Sequence, residues 1–86
     1  MESEFDTRKS RSNKKKHGID FVQAQRIWDD PDEMVIPART TDEPRFLIIG
    51  KIEDLHWSGI ITRRGDRISI ISIRRSRKEE IEHYES

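Results

Sequence analysis

Residues 62–78 read Thr-Arg-Arg-Gly-Asp-Arg-Ile-Ser-Ile-Ile-Ser-Ile-Arg-Arg-Ser-Arg-Lys. This stretch constrains the chain more than any other. Its isoleucines, at 68, 70, 71 and 73, are β-branched and predict a strand that a core must cover on at least one face. Arg64-Gly65-Asp66 before them predicts a hairpin loop. Seven cationic side chains and one acid stand in the same stretch. A buried strand therefore delivers fixed positive charge to the surface at both ends. Guanidinium groups on a rigid element match phosphate oxygens in a bidentate fork.

The rest of the chain must support that strand with little material. Its 86 residues, 31% of them hydrophobic, predict one domain spanning 1–86. A chain of this size buries only about 60–65% of its unfolded surface. There is no cysteine, which excludes disulfides and thiolate metal sites and fits a reducing compartment. No apolar run approaches the roughly 20 residues of a membrane span, and no signal peptide is expected, so the expected location is cytoplasmic. Basic and acidic residues balance at 17 each. Their distribution is uneven. Residues 8–17 carry Arg8, Lys9, Arg11, Lys14, Lys15 and Lys16 with no acid, and with residues 62–78 they hold 13 of the 17 cations. Acids gather at 29–33, 42–43, 53–54 and 79–85. One face should be basic and one acidic, and the basic field rather than the net charge sets the partners.

The order of elements follows from local signals. Glu4-Phe5-Asp6 is at most a short edge strand. Asp6 can cap a helix over 7–17 with Gly18 as its left-handed stop, although residues 7–18 contain no apolar side chain and a solvated basic arm explains them equally well. Asp20 and Gln23 form a capping box for a helix whose Phe21, Ala24, Ile27 and Trp28 share a face, ending at Asp29-Asp30-Pro31. Met34-Val35-Ile36 is a short strand closed by Pro37, and 38–44 a polar loop. Phe46–Ile49 is a strand apolar on both faces, Glu53-Asp54 a turn, and Trp57–Thr62 a strand with Gly59 as a possible bulge. Ser76, with Glu79, caps a last helix anchored by Ile81 and Tyr84. The fold class is α+β: a small antiparallel sheet of three to four strands with N-terminal helices and one C-terminal helix packed on it.

No metal motif, phosphate-binding glycine loop or nucleophile elbow is present, and His17, His56 and His83 lack ligand spacing. What remains is arginine, lysine, histidine and tyrosine. That inventory suits RNA cleavage without a metal, because RNA carries its own nucleophile in the 2′-hydroxyl. The protein needs to align it, move protons and stabilise charge on the phosphorane. Each residue also has a structural explanation. Arg74 and Arg75 can pair with Glu79 and Glu80. His17 can interact with the dipole at a helix C-terminus. Tyr84 can anchor the core, Trp28 and Trp57 can be core, and His56 can be simply exposed.

Phe5-Asp6-x-x-Lys9-x-x-x-Asn13-x-Lys15-Lys16-His17-Gly18-Ile19-x-Phe21 resembles the opening of the BrnT toxin family. Arg64-Gly65-Asp66-Arg67-Ile68-x-Ile70-Ile71-Ser72-x-Arg74-Arg75, followed by Glu80 and Tyr84, resembles its C-terminal signature. The chain departs from the family pattern at Lys14, Pro44, Ile73 and Phe5. The resemblance, over about residues 4–85, implies a RelE-like fold and a ribonuclease toxin of a type II toxin–antitoxin system that inhibits translation. It also implies a BrnA-like antitoxin partner, with promoter DNA met only through that antitoxin, and no cofactor. On this reading Arg74 holds the phosphorane charge, His17 is the base and Tyr84 the acid. Arg64 completes the catalytic set and, with Arg67, positions flanking phosphates. Arg75, Arg45, Lys14, Lys15 and Lys16 contact the RNA. The antitoxin is expected over residues 8–17 and 63–78. The competing expectation is a non-catalytic nucleic-acid-binding or regulatory module.

Overall fold

The isoleucine-rich strand lies inside a five-stranded sheet. The computed structural model describes residues 3–38 and 43–86. In chain order these hold β1 (Ser3–Glu4), α1 (Thr7–His17), α2 (Phe21–Ala24, running into a 3-10 turn over Gln25–Asp29), β2 (Met34–Ala38), β3 (Arg45–Ile52), β4 (Leu55–Arg64), β5 (Arg67–Arg75) and α3 (Lys78–Glu85). The sheet order is β1-β5-β4-β3-β2. β2 to β5 form an antiparallel meander, and β1 pairs in parallel with Ile68 and Ser69 on the far edge. The architecture is α+β, as the sequence predicts. The 38–44 loop falls largely outside the described residues.

The meander is amphipathic on both sides, unequally. One face presents Ile48, Trp57, Ile61, Ile68, Ile70 and Ile73, and packs against Ile19, Phe21, Ala24 and Ile27 from the α2 segment. Phe5 closes this layer with its ring 5.7 Å from Phe21, edge to face. On the other face α3 covers only the end nearest β4's start, over Ile49 and Ser58. The rest of that face, with Ile36, Leu47 and Ile60, is half-buried.

Capping chemistry follows the sequence with two shifts. Asp6 accepts from the Arg8 N–H at 2.8 Å, and Gly18, at φ 81°, closes α1 where a side chain would be strained. The Asp20–Gln23 capping box is present in both directions. At α3 the cap moves one residue on: Arg77 is the N-cap, and the Glu80 carboxylate accepts from its N–H at 2.7 Å. Ser76 instead joins Ser58, 2.7 Å away. The bulge is not at Gly59, which pairs regularly with Ile48 and Ile73. Gly59 is needed for close approach, since a Cβ there would meet Ile73 Cδ1 at 3.1 Å and the Ser72 carbonyl at 3.2 Å. The irregularity lies on β5, where Ile71 has no partner between Ile70↔Ile61 and Ser72↔Ile60.

Candidate nucleic-acid interface

Strand alternation places Ser72 and Arg74 on the half-open face, because Ile73 between them is core. Arg74 ends that row against α3. Its two terminal nitrogens reach the two oxygens of Glu80 at 2.8 Å each, and one of them also donates to the Arg75 carbonyl at 3.1 Å. A guanidinium carries five N–H donors. Three are taken among the described residues, which leaves two, including Nε–H, for a ligand. The Ser58 hydroxyl donates to Glu80 at 2.9 Å. Arg74 and the donors around it hold the Glu80 carboxyl at about 2, against the opposing effect of burial. The hydrogen bonds from Arg74 to Glu80 raise the guanidinium's own affinity for its proton.

α1 is a helix without an apolar stripe, and polar side chains dock it. The Asn13 amide nitrogen donates to the Ile19 carbonyl at 2.8 Å and the Ile73 carbonyl at 2.9 Å, while its oxygen accepts from the Ile73 N–H at 3.1 Å. Asn13 thus completes the outer edge of β5 as a neighbouring strand would. The Ser10 hydroxyl accepts from the Phe21 N–H at 2.9 Å. Lys14, expected among the RNA contacts, ties α1 to α2 through Gln23 at 2.9 Å. His17 is exposed at the end of α1 and lines a cavity of about 190 Å³ with Lys9, Ser12, Asn13, Lys16, Ile71 and Ser72. Asn13 lies one turn before His17 and is bonded to the residue beside Arg74, so the two predicted centres share one strut. Lys15 and Lys16 are exposed, and no cation of α1 forms an ion pair among the described residues.

Arg45, Arg64 and Arg67 sit at the other end of the half-open face, around the hairpin tip. Arg67 pairs with Glu4, and Arg64 with Glu43 at 3.5 Å. From Arg67 to Arg74 the strand runs about 20 Å at ~3.3 Å per residue. Arg64 therefore cannot touch the phosphate that Arg74 touches, and it stands apart from the expected catalytic set. Arg75 lies on the core-bearing face with its guanidinium 5.6 Å from the Trp57 ring centre, away from Arg74. The expected basic face is thus open along α1 but interleaved with acids along the sheet.

Tyr84 is one turn beyond Glu80 on α3, and its hydroxyl donates to Asp30 at 2.7 Å. Burial first, then Asp30, push its proton affinity up, so the group holds its proton tightly. Burial works against the Asp30 charge, but Tyr84 and the Lys51 and Asp32 N–H groups outweigh it and keep the carboxyl below its ordinary range. This is the arrangement of an anchor rather than a proton donor. The His56 ring packs edge to face on Tyr84 and meets Glu85 at 2.7 Å. His56 is therefore half-buried and partnered, not simply exposed as the sequence suggests. Its partner lies 29 residues away, so no local signal pointed to it.

A protein-family profile described as "Ribonuclease toxin, BrnT, of type II toxin-antitoxin system" matches residues 5–80. Among curated proteins no significant match is found.

Proposed function

The chain belongs to the BrnT family of ribonuclease toxins, and on that premise we propose that it is a metal-independent endoribonuclease working at the junction of β5 and α1. The observation that supports this reading is the Asn13 strut, which ties the helix that carries His17 to β5 at the residue before Arg74. RNA lies across the half-open face. His17 removes the 2′-hydroxyl proton, the oxygen attacks phosphorus, and the bond to the 5′-oxygen breaks. The two uncommitted donors of Arg74 meet the charge that develops on the phosphorane, with Glu80 holding the guanidinium in place. Solvent protonates the leaving oxygen in this scheme, and Tyr84 keeps α3 seated. Arg45, Arg64 and Arg67 hold flanking phosphates. The products are a 2′,3′-cyclic phosphate and a 5′-hydroxyl. Translation stops as message is cut, and a BrnA-like antitoxin restrains the free toxin.

The test is cleavage of single-stranded RNA by the purified chain. Activity should persist in EDTA, and substrates with 2′-deoxy or 2′-O-methyl at the cut should resist. Arg74→Ala should lose about 10²–10³ in rate. Arg74→Lys, which keeps the charge and loses the fork, should also be impaired, with folding checked by circular dichroism. His17→Gln should lower the rate and alter the pH profile, whereas Tyr84→Phe should cleave normally. Continued cutting of 2′-blocked substrates or complete loss in EDTA would refute the mechanism. The strand arginines' pairing with Glu4, Glu43 and Glu80 favours a second reading, a non-catalytic RNA-binding module. Tight binding of cleavable RNA without products would select it.

A further inference from the structure

We propose that the cavity between α1 and the bulge of β5 is a second phosphate subsite, in which Lys9 and Ser12 seat the RNA phosphate next to the one at Arg74. This rests on the ribonuclease reading above and adds two residues to it. Lys9, Ser12 and Lys16 are spaced i, i+3 and i+7, so they share one face of α1. These three residues, with Asn13, His17, Ile71 and Ser72, line an open cavity of about 190 Å³. The cavity exists because the bulge leaves Ile71 without a partner while the Asn13 strut fixes α1 against the edge beside it.

The available groups suit an anion. Both hydrogens of the Asn13 amide nitrogen and its oxygen are committed to backbone, so it is a wall. The other polar residues that line the space are Lys9, Lys16, His17, Ser12 and Ser72, whose side chains carry ammonium, imidazole and hydroxyl groups. Neither Lys9 nor Lys16 forms an ion pair among the described residues, in contrast to Arg64, Arg67 and Arg74. The cavity therefore holds positive charge that no acid among the described residues pairs with. Ser72 and Arg74 are two residues apart on one face, about 7 Å along the strand. A single strand with one phosphate at Arg74 can set the neighbouring phosphate here. Lys9 and Ser12 are then positioning residues, acting on where the RNA lies and not on the bond that breaks.

The experiment compares the intact chain with Lys9→Ala and Lys9→Ala/Ser12→Ala, both exposed positions on α1. Cleavage kinetics are measured on single-stranded RNA, and binding on a 2′-O-methyl oligonucleotide across a salt series. Lys9→Ala should raise KM about fivefold with kcat unchanged, the low end for a charge-assisted contact open to solvent. It should also flatten the slope of log affinity against log salt by about 0.7, the value for one phosphate contact on a single strand. If the wild type cleaves but both variants keep its KM and salt slope, the subsite is wrong and the ribonuclease reading stands. If the oligonucleotide binds with the predicted sensitivity to Lys9→Ala but RNA is never cut, the reaction is wrong and the subsite stands. Absence of any binding by the wild type overturns both.

Discussion

Glu80 shows how one carboxylate can serve two parts of the molecule. It holds the Arg74 fork on one side and accepts from the Ser58 hydroxyl and the Arg77 N–H on the other. Its carboxyl is depressed from 4.5 to about 2 on folding. A depressed acid stabilises the fold in its charged form. That contribution is complete above about pH 4.5 and is lost as pH falls toward 2. The shift corresponds to about 3 kcal/mol as an order of magnitude. Urea denaturation between pH 7 and 2 should therefore show stability falling through the acid range. Glu80→Gln should be less stable at neutrality and lose most of that slope. An unchanged slope in the variant would mean other acids carry it. At this scale the sequence was partly legible. The pairing of a strand-end arginine with the next helix was readable from spacing, but the cap at Arg77 rather than Ser76 was not. Both registers offer a glutamate at the third helical position, and only the reach of Glu80 to Arg74 and Ser58 decides between them.

α1 is the element that the sequence leaves undecided, because it has no apolar periodicity to mark a docked face. Its bounds were nevertheless legible, since Asp6 and Gly18 are strong stop signals whatever lies between them. What was hidden is that Ser10 and Asn13 bury themselves by satisfying the backbone of other elements. Polar side chains in such positions look like surface residues until their partners, up to 60 residues away, are known. The interaction is correspondingly costly to lose. Asn13→Ala would strand the Ile73 N–H and the Ile73 and Ile19 carbonyls, at about 1–3 kcal/mol for a buried group left unpaired. We expect a loss of about 3 kcal/mol in chemical denaturation. Hydrogen exchange should be faster at Ile73 and along α1, with the β3–β4 pairing protected as before. A loss under 1 kcal/mol would mean that water replaces the strut.

Across the whole molecule, charge is arranged differently from its arrangement in the sequence. The sheet's arginines are interleaved with Glu4, Glu43 and Glu80, while α1 keeps its cations unpaired among the described residues. Asp29, Asp30, Asp32, Glu53 and Glu85 gather instead around a cavity of about 420 Å³ that Tyr84, Arg26 and Lys51 also line. An acidic antitoxin segment should accordingly grip α1 first, with fast and salt-sensitive association. Raising ionic strength should slow association far more than it speeds dissociation, and the complex should protect α1 and leave the acidic cavity open. An antitoxin that covers the acidic cavity and leaves Lys9 and Lys16 exposed would contradict this. The block of cations at 8–17 located the unpaired positive charge correctly, because neighbours in sequence on α1 are neighbours in space. Such blocks failed at the sheet, where Arg64, Arg67 and Arg74 each find an acid outside their own strand.

The Asn13–Ile73 contact also has a meaning in time. A ribosome adding about 5–20 residues per second finishes α1 several seconds before residue 73 exists. During that interval the helix has no edge to dock on, and the Asn13 amide lacks both of its Ile73 partners. The junction that would cut RNA is assembled only when the seventy-third residue is free to meet the thirteenth. On the site proposed above, the chain gains its cutting junction only after nearly all of it has been synthesised.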